Sequence, residues 1–239
     1  VYKRQGYDSQ ASGTGQVLSA QKIGDSQGTF LRVISTPTTP GSGVIDDVQP
    51  LPYVSGLNIR KEDEIVIQYD ESSVTNEVKE YITLMDSMHD NHKVIGFPLN
   101  KDFATFKNNL KSHCSKDYIF QVDADEIPHE FLVEHMGSVL DENPVDIVFV
   151  PRVNTVEGLT DEHINKWKWK VDEKGWVNFP DYQTRIYKNT EDVKWMNKVH
   201  ERITGYSTFS NFPAEEQWSL YHHKQIDRQE QQNEFYETI

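Results

Sequence analysis

Two carboxylates one residue apart, Asp123 and Asp125, follow directly on the apolar run Tyr118-Ile-Phe-Gln-Val122. In extended backbone, side chains two apart point to the same side, so both can face one cavity. They would repel each other unless a cation sat between or beside them. Oxygen ligands of this kind suit Mg2+ or Mn2+. A divalent ion bridging a diphosphate stabilises the charge that develops as the diphosphate leaves. Sugar transfer from a nucleotide diphosphate requires just that chemistry. The competing reading is a solvated acidic turn that caps a helix opening at Pro128.

Other polar groups fall where they could join such a site. Thr36 and Thr38 stand in a turn-rich loop, residues 36–43, and Asp70 ends the apolar run of residues 64–69. Turn-making and helix-capping are their plainer roles. Arg185 carries a planar fork suited to phosphate, and equally suited to a structural carboxylate. His200 and Glu201 are neighbours in a run, residues 193–203, that alternates like a strand. On a regular strand they would face opposite sides, so both serve one site only if the backbone leaves strand geometry. Trp176 and Trp195 are flanked by polar residues and could stack on a sugar face; Tyr221-His-His223 is a secondary candidate for a metal or acceptor contact.

The elements that must position these groups can be read from periodicity. Apolar runs at residues 30–35, 64–69, 93–97, 118–122 and 145–150 read as strands. Between them, Val74, Val78, Tyr81, Met85 and Met88 recur at helical spacing, with Ser72 or Ser73 as the cap. Phe103, Phe106, Leu110 and Cys114 share a second helical face behind Asp102. Phe131, Leu132, His135, Met136, Val139 and Leu140 form a third, with Pro128 at its first position. Repeated strand–helix alternation predicts an α/β fold with a doubly wound, mostly parallel sheet. Ligands of such sheets bind beyond the carboxyl ends of the strands. After residue 150 the alternation stops, all five tryptophans follow, and strand-like runs remain only at residues 183–188 and 193–203. This half is expected to be an irregular elaboration completing the site.

Composition narrows the function classes. At 239 residues the chain suffices for one substantial domain, and an 11% aromatic share supports a core although only 36% of residues are hydrophobic. The net charge of −14 argues against a nucleic-acid backbone or an anionic lipid surface as partner. The single cysteine, Cys114, precludes an intrachain disulfide and fits a reducing, cytoplasmic setting. No apolar run approaches the roughly 20 residues of a membrane span. Residues 1–29, rich in Gly, Ser and Gln, read as a flexible tail or linker whose opening VYKRQ resembles a translated adapter remnant. The domain is then residues 30–239, with a nucleotide-sugar half at 30–150 and an acceptor half at 151–239.

The segments FLRVISTPTTP, EIVIQYDESS, NNLKSHCSKDYIFQVDADEIP and NKVHERI, in this order, resemble family 2 glycosyltransferases of the GT-A fold over about residues 30–205. The resemblance is to the small bacterial and phage-type group with a D-x-D and a Val-His-Glu motif. It implies a metal-dependent, inverting transfer from a nucleotide-diphosphate sugar, a UDP-sugar first among donors, to a saccharide or other acceptor. It implies that Thr36 and Thr38 line the nucleotide pocket and that Asp70 binds base or ribose. Residues 107–109, with Asn108 at their centre, fall on the donor-side helix. Asp123 would contact ribose or metal, and Asp125 and His200 would ligate Mn2+ or Mg2+. The family's base lies a few positions before an Arg; Asp181, four before Arg185, fits that outline, although Pro180 replaces the acidic residue usual there. Glu201 is its rival, and Glu157 and Asp161 stand further off. A catalytically silent nucleotide- or carbohydrate-binding module on the same fold is the alternative. A nucleotidyltransferase would call for a longer basic or Gly-rich loop after Ile34.

Overall fold

A computed structural model describes residues 16–17, 30–36, 63–88, 92–227 and 229–230. One sheet of eight strands organises them. The strands are β1 (Gln16–Val17), β2 (Phe30–Thr36), β3 (Glu64–Asp70), β4 (His92–Phe97), β5 (Tyr118–Asp123), β7 (Ile147–Val150), β9 (Gln183–Lys188) and β12 (Phe209–Asn211). Their spatial order is β1-β12-β7-β9-β5-β2-β3-β4. The four strands from β5 to β4 are mutually parallel, and β9 runs antiparallel between β5 and β7. This is the expected mostly parallel, doubly wound α/β architecture. Buried on both faces, β3 carries the continuous apolar stretch Ile65-Val66-Ile67 that such strands show.

Helix α1 (Asn76–Met88) covers the β3–β4 edge, burying Ile82 against Ile65 and Ile67. Ser72 and Ser73 do not cap it; their hydroxyls turn back onto Asp70. Helix α2 (Phe103–Ser112) begins at Asp102, whose side chain accepts from the Thr105 amide at 3.0 Å. Its buried face includes Phe106, Leu110 and Lys107. Helix α3 (Glu130–Glu142) buries Leu132, Met136 and Leu140 against Phe120, Val148 and Ile186 on the other face of the sheet.

Pro128 is not the first residue of α3. It ends a short strand, β6 (Glu126–Pro128), and His129 caps the helix instead, accepting from the Phe131 amide through Nδ1. Proline is tolerated there because β6 lies at the edge of a second sheet, ordered β6-β13-β8. Its other strands are β8 (Arg152–Glu157) and β13 (Leu220–Gln225); α4 (Asp161–Trp167) follows β8.

The second half of the chain is thus woven into the first: β9 and β12 enter the main sheet, and β13 pairs with β6. The run at 193–203 is not one strand. It is a hairpin, β10 (Lys194–Met196) and β11 (Arg202–Thr204), with Met196 opposite Arg202. The five residues between turn because Asn197 and His200 take left-handed backbone, φ 76° and 54°. Gly205 closes β11 at φ 82°, where a Cβ would lie 1.8 Å from the Asp192 carbonyl oxygen.

Candidate active site

β5 delivers Asp123 to the carboxyl edge of the main sheet, opposite Ser35 of β2. The backbone then turns through Ala124 and Asp125 before entering β6. The two carboxylates consequently meet different partners. Asp123 Oδ2 accepts from Arg185 Nη2 at 2.5 Å, while its Oδ1 is buried with no hydrogen-bond partner among the described residues. Asp125 Oδ2 lies 3.3 Å from His222 Nε2 on β13.

Glu126, next in the chain, is fully buried and bonded to two guanidinium groups. Arg185 reaches it through Nε at 2.8 Å and Nη2 at 2.6 Å, and Arg152 through Nη1 at 2.9 Å. Burial alone would push this carboxyl up; Arg185 and then Arg152 outweigh it and hold it down at about 2. Arg152 in turn grips Asp181 Oδ2 through Nε and Nη2, at 3.0 and 2.8 Å. The same oxygen accepts from Asn154 Nδ2 at 2.7 Å, and Oδ1 accepts from Gln183 Nε2 at 3.1 Å. Asp181, expected as a base, is therefore bonded at both oxygens at the end of one chain whose middle is buried: Asp123, Arg185, Glu126, Arg152, Asp181. Arg185 meets two carboxylates, the second of the two roles its fork allowed.

Asn154 extends the chain to His222. With its amide nitrogen on Asp181, its oxygen faces His222 Nδ1 at 2.7 Å, so Nδ1 carries the proton. Nε2 faces Asp125 Oδ2. Burial holds His222 below the ordinary histidine range, against the pull of Asp125.

The β10–β11 loop closes a second side. Lys107 of α2, itself buried, places Nζ 2.6 Å from Glu201 Oε1 and 4.4 Å above the Trp195 ring. Burial opposes the charge on Glu201, and Lys107 overrides it, keeping this carboxyl below its ordinary value with help from the field of Arg185. Asn108 clamps the hairpin: Nδ2 donates to the Trp195 carbonyl at 2.8 Å and Oδ1 accepts from its amide at 2.9 Å. The Phe103 amide donates to the Lys198 carbonyl at the same docking seam. The loop leaves strand geometry, as joint service by His200 and Glu201 demands; Glu201 is mostly buried and His200 exposed. Trp195 is core rather than a sugar platform, packed edge-on against Tyr187.

Asp70 ends β3 and is buried. Its carboxylate accepts from both Ser72 groups, from the Ser73 hydroxyl and from the Leu99 amide, and these bonds lower it despite burial. It shapes the strand-end turn. Thr36 is the last residue of β2, paired with Tyr69, and Thr38 lies outside the described residues.

Glu126, Arg152 and Asn154 emerge here as organising residues that spacing did not single out, and Lys107, in the segment 107–109, holds Glu201. The one local signal was the unbroken Asp-Ala-Asp-Glu at a strand end. Among the described residues, no three His, Cys, Asp or Glu side chains form a ready group of metal ligands. The donor set still fits a hard divalent ion: Mg2+ uses one or two carboxylates and takes its other ligands from phosphates and water. Asp123 Oδ1 and the Asp125 carboxylate are the oxygens suited to it.

A model of glycosyl transferase family 2 matches residues 55–218. Among solved structures, the chain resembles TarS 1–349 of S. aureus at 14% identity and a TM-score of 0.53, covering 81% of this chain and 60% of that one. The complex of the same protein with UDP-GlcNAc matches at 13% identity and a TM-score of 0.55, over 81% and 58%. Its complex with UDP matches at 12% and 0.53. At such identities the likeness is one of fold, and the chain spans three-fifths or less of the TarS chains. A comparison with curated proteins finds no match. Among the described residues, no helix is long and apolar enough to cross a membrane.

Proposed function

Because the chain belongs to glycosyl transferase family 2, we propose that it moves a sugar from a nucleotide-diphosphate sugar, with inversion, to an acceptor. The donor is a UDP-sugar. The observation that carries this reading is Asp123 Oδ1, a buried carboxylate oxygen without a hydrogen-bond partner among the described residues, at the carboxyl edge of a parallel sheet where such folds bind ligands. The TarS complexes with UDP-GlcNAc and UDP support the choice of nucleotide.

In this reading Asp123 or Asp125 would hold Mn2+ or Mg2+ together with phosphate and water, with His200 and His222 the imidazole candidates. The ion, when bound, neutralises charge on the departing diphosphate. Arg185 occupies Asp123 Oδ2 and so fixes which oxygen of that carboxylate is left for it. Asn154 fixes the His222 tautomer, the role outer partners play at metal sites.

Glu201 fits the base better than Asp181. Asp181 is committed to Arg152, Asn154 and Gln183. Glu201 adjoins His200 on the β10–β11 loop, and Lys107 holds it ionised. It takes the hydroxyl proton as the acceptor oxygen bonds to the anomeric carbon and the bond from that carbon to the diphosphate breaks. Asp181 then serves to orient Arg152 and Asn154.

Thermal stabilisation tests the reading, since a ligand bound only to the native state must raise its stability. UDP-sugars with Mn2+ are expected to raise the melting temperature, and to do so less in EDTA. No stabilisation by any UDP-sugar would refute it.

A further inference from the structure

Among the described residues, two buried side-chain atoms have no hydrogen-bond partner, Gln121 Nε2 and Asp123 Oδ1. The amide nitrogen only donates and the carboxylate oxygen only accepts. Both residues belong to β5 and stand two apart, so their side chains leave the strand on the same face. Gln121 is fully buried and has no part in the chemistry above. A buried polar atom left unbonded costs its full desolvation, so in native proteins such atoms are answered by protein or by ordered water.

The bonds behind Gln121 fix which way its amide points. The Trp195 indole N–H, which can only donate, reaches the Tyr187 hydroxyl oxygen at 3.3 Å. That hydroxyl must send its own hydrogen elsewhere, and it donates to Gln121 Oε1 at 2.9 Å. Oε1 is thereby taken, and Nε2 is the end of the amide that remains. All three side chains are buried. Opposite, Arg185 holds Asp123 Oδ2, so Oδ1 is the oxygen that remains there. A directed chain thus runs from Trp195 through Tyr187 and Gln121 towards Asp123, and its last step faces an unmatched donor with an unmatched acceptor.

We propose that Gln121 is a positioning residue for Asp123, and that a buried water completes the chain, accepting from Nε2 and donating to Oδ1. A cation can answer Oδ1 but not Nε2, which offers hydrogens; a water serves both at once. The spacing suits it. Residues two apart on a strand have Cα atoms about 7 Å apart, and a water bonded to two atoms spans about 5 Å between them. A carboxylate oxygen takes two bonds, so the water leaves a position on Oδ1 for the ion. Held at Oδ2 by Arg185 and at Oδ1 by the water, the carboxylate keeps one orientation. The water follows from the donor and acceptor alone, whereas the positioning role rests on the transferase reading. At the far end of the chain, Trp195 lies under Lys107, which holds Glu201. One run of hydrogen bonds then joins the hairpin that carries the proposed base to the carboxylate at the end of β5.

A high-resolution crystal structure of the whole chain tests the water, and titration with Mn2+ in the presence of UDP, followed by electron paramagnetic resonance, tests the role. The map should show one water within about 3 Å of both atoms. Gln121→Met keeps the bulk and removes the donor, and should weaken Mn2+ binding about tenfold, the low end for an outer partner of a metal ligand. Tyr187→Phe loses a buried hydrogen bond at the same place but keeps the amide, so its Mn2+ affinity should stay within a few-fold of native. Melting temperatures of all three proteins check that they fold. A map without that water, or with Nε2 bonded directly to protein, overturns the water. Native-like Mn2+ affinity in Gln121→Met, or an equal loss in Tyr187→Phe, overturns the positioning role. A native protein that binds no Mn2+ with UDP refutes the cation reading and the role with it, while the map still decides the water.

Discussion

Glu126→Gln is the sharpest perturbation of the buried chain beneath the site. The native carboxylate has no solvent exposure and answers two guanidinium groups. Gln keeps the shape and removes the charge, so Arg152 and Arg185 lose a shared counter-ion, and an amide N–H is turned towards donors. The two guanidinium groups hold the carboxyl well below its ordinary value, so its charge stabilises the fold at neutral pH. Removing one member of a buried ion pair costs about 3–5 kcal/mol in general. For a chain of this size, about 2–4 °C accompanies each kcal/mol, so the melting temperature should fall by about 6–20 °C. Calorimetric melting at pH 7 of native and variant proteins reads this directly. A fall of under about 2 °C would refute the claim that Glu126 is the counter-ion on which both arginines depend.

The same residue sets an acid limit. Its folded value lies below its unfolded one, so its contribution is complete above about 4.5 and is lost as pH falls through about 2; Asp146, lowered despite burial by bonds from Ser207, Thr208 and Lys188, acts in the same sense. Melting temperature should therefore fall steeply below pH 4.5 in the native protein and less steeply in Glu126→Gln, and parallel curves would contradict this. Asn108→Ala removes both bonds to the Trp195 backbone and should cost about 1–3 kcal/mol, measured by urea unfolding, with proteolytic cutting appearing first in the β10–β11 loop. Glu201→Gln should lower turnover by about 10²-fold or more with donor affinity by calorimetry nearly unchanged, whereas Asp181→Asn should act mainly through stability. A dead but stable Asp181→Asn beside an active Glu201→Gln would reverse the assignment of the base.

Much of the frame could be read before any coordinates. The runs that became β3, β4, β5 and β7 are apolar enough that burial in a sheet is their cheapest state, and the D-x-D was found by its place at the end of one. Local chemistry misled at Pro128, where a helix-opening residue sits instead on a sheet edge, and at residues 193–203, where alternation continued across a turn that only backbone angles reveal. The ion chain was beyond reach for a different reason. Glu126 meets Arg152 and Arg185 across 26 and 59 residues, and no periodicity links partners that distant. For Asp181, the distance to Arg185 in sequence suggested a base, while its contacts come from Arg152 and Asn154 on another strand.

The release of UDP from a panel of UDP-sugars, measured as an initial rate with Mn2+ and again in EDTA, tests the central claim most directly. The claim requires that at least one donor be turned over with the ion present, that EDTA abolish it, and that Asp125→Ala fold normally yet fail. Release at the same rate in EDTA, or by Asp125→Ala, would contradict a cation-assisted nucleotide-sugar site at the end of β5.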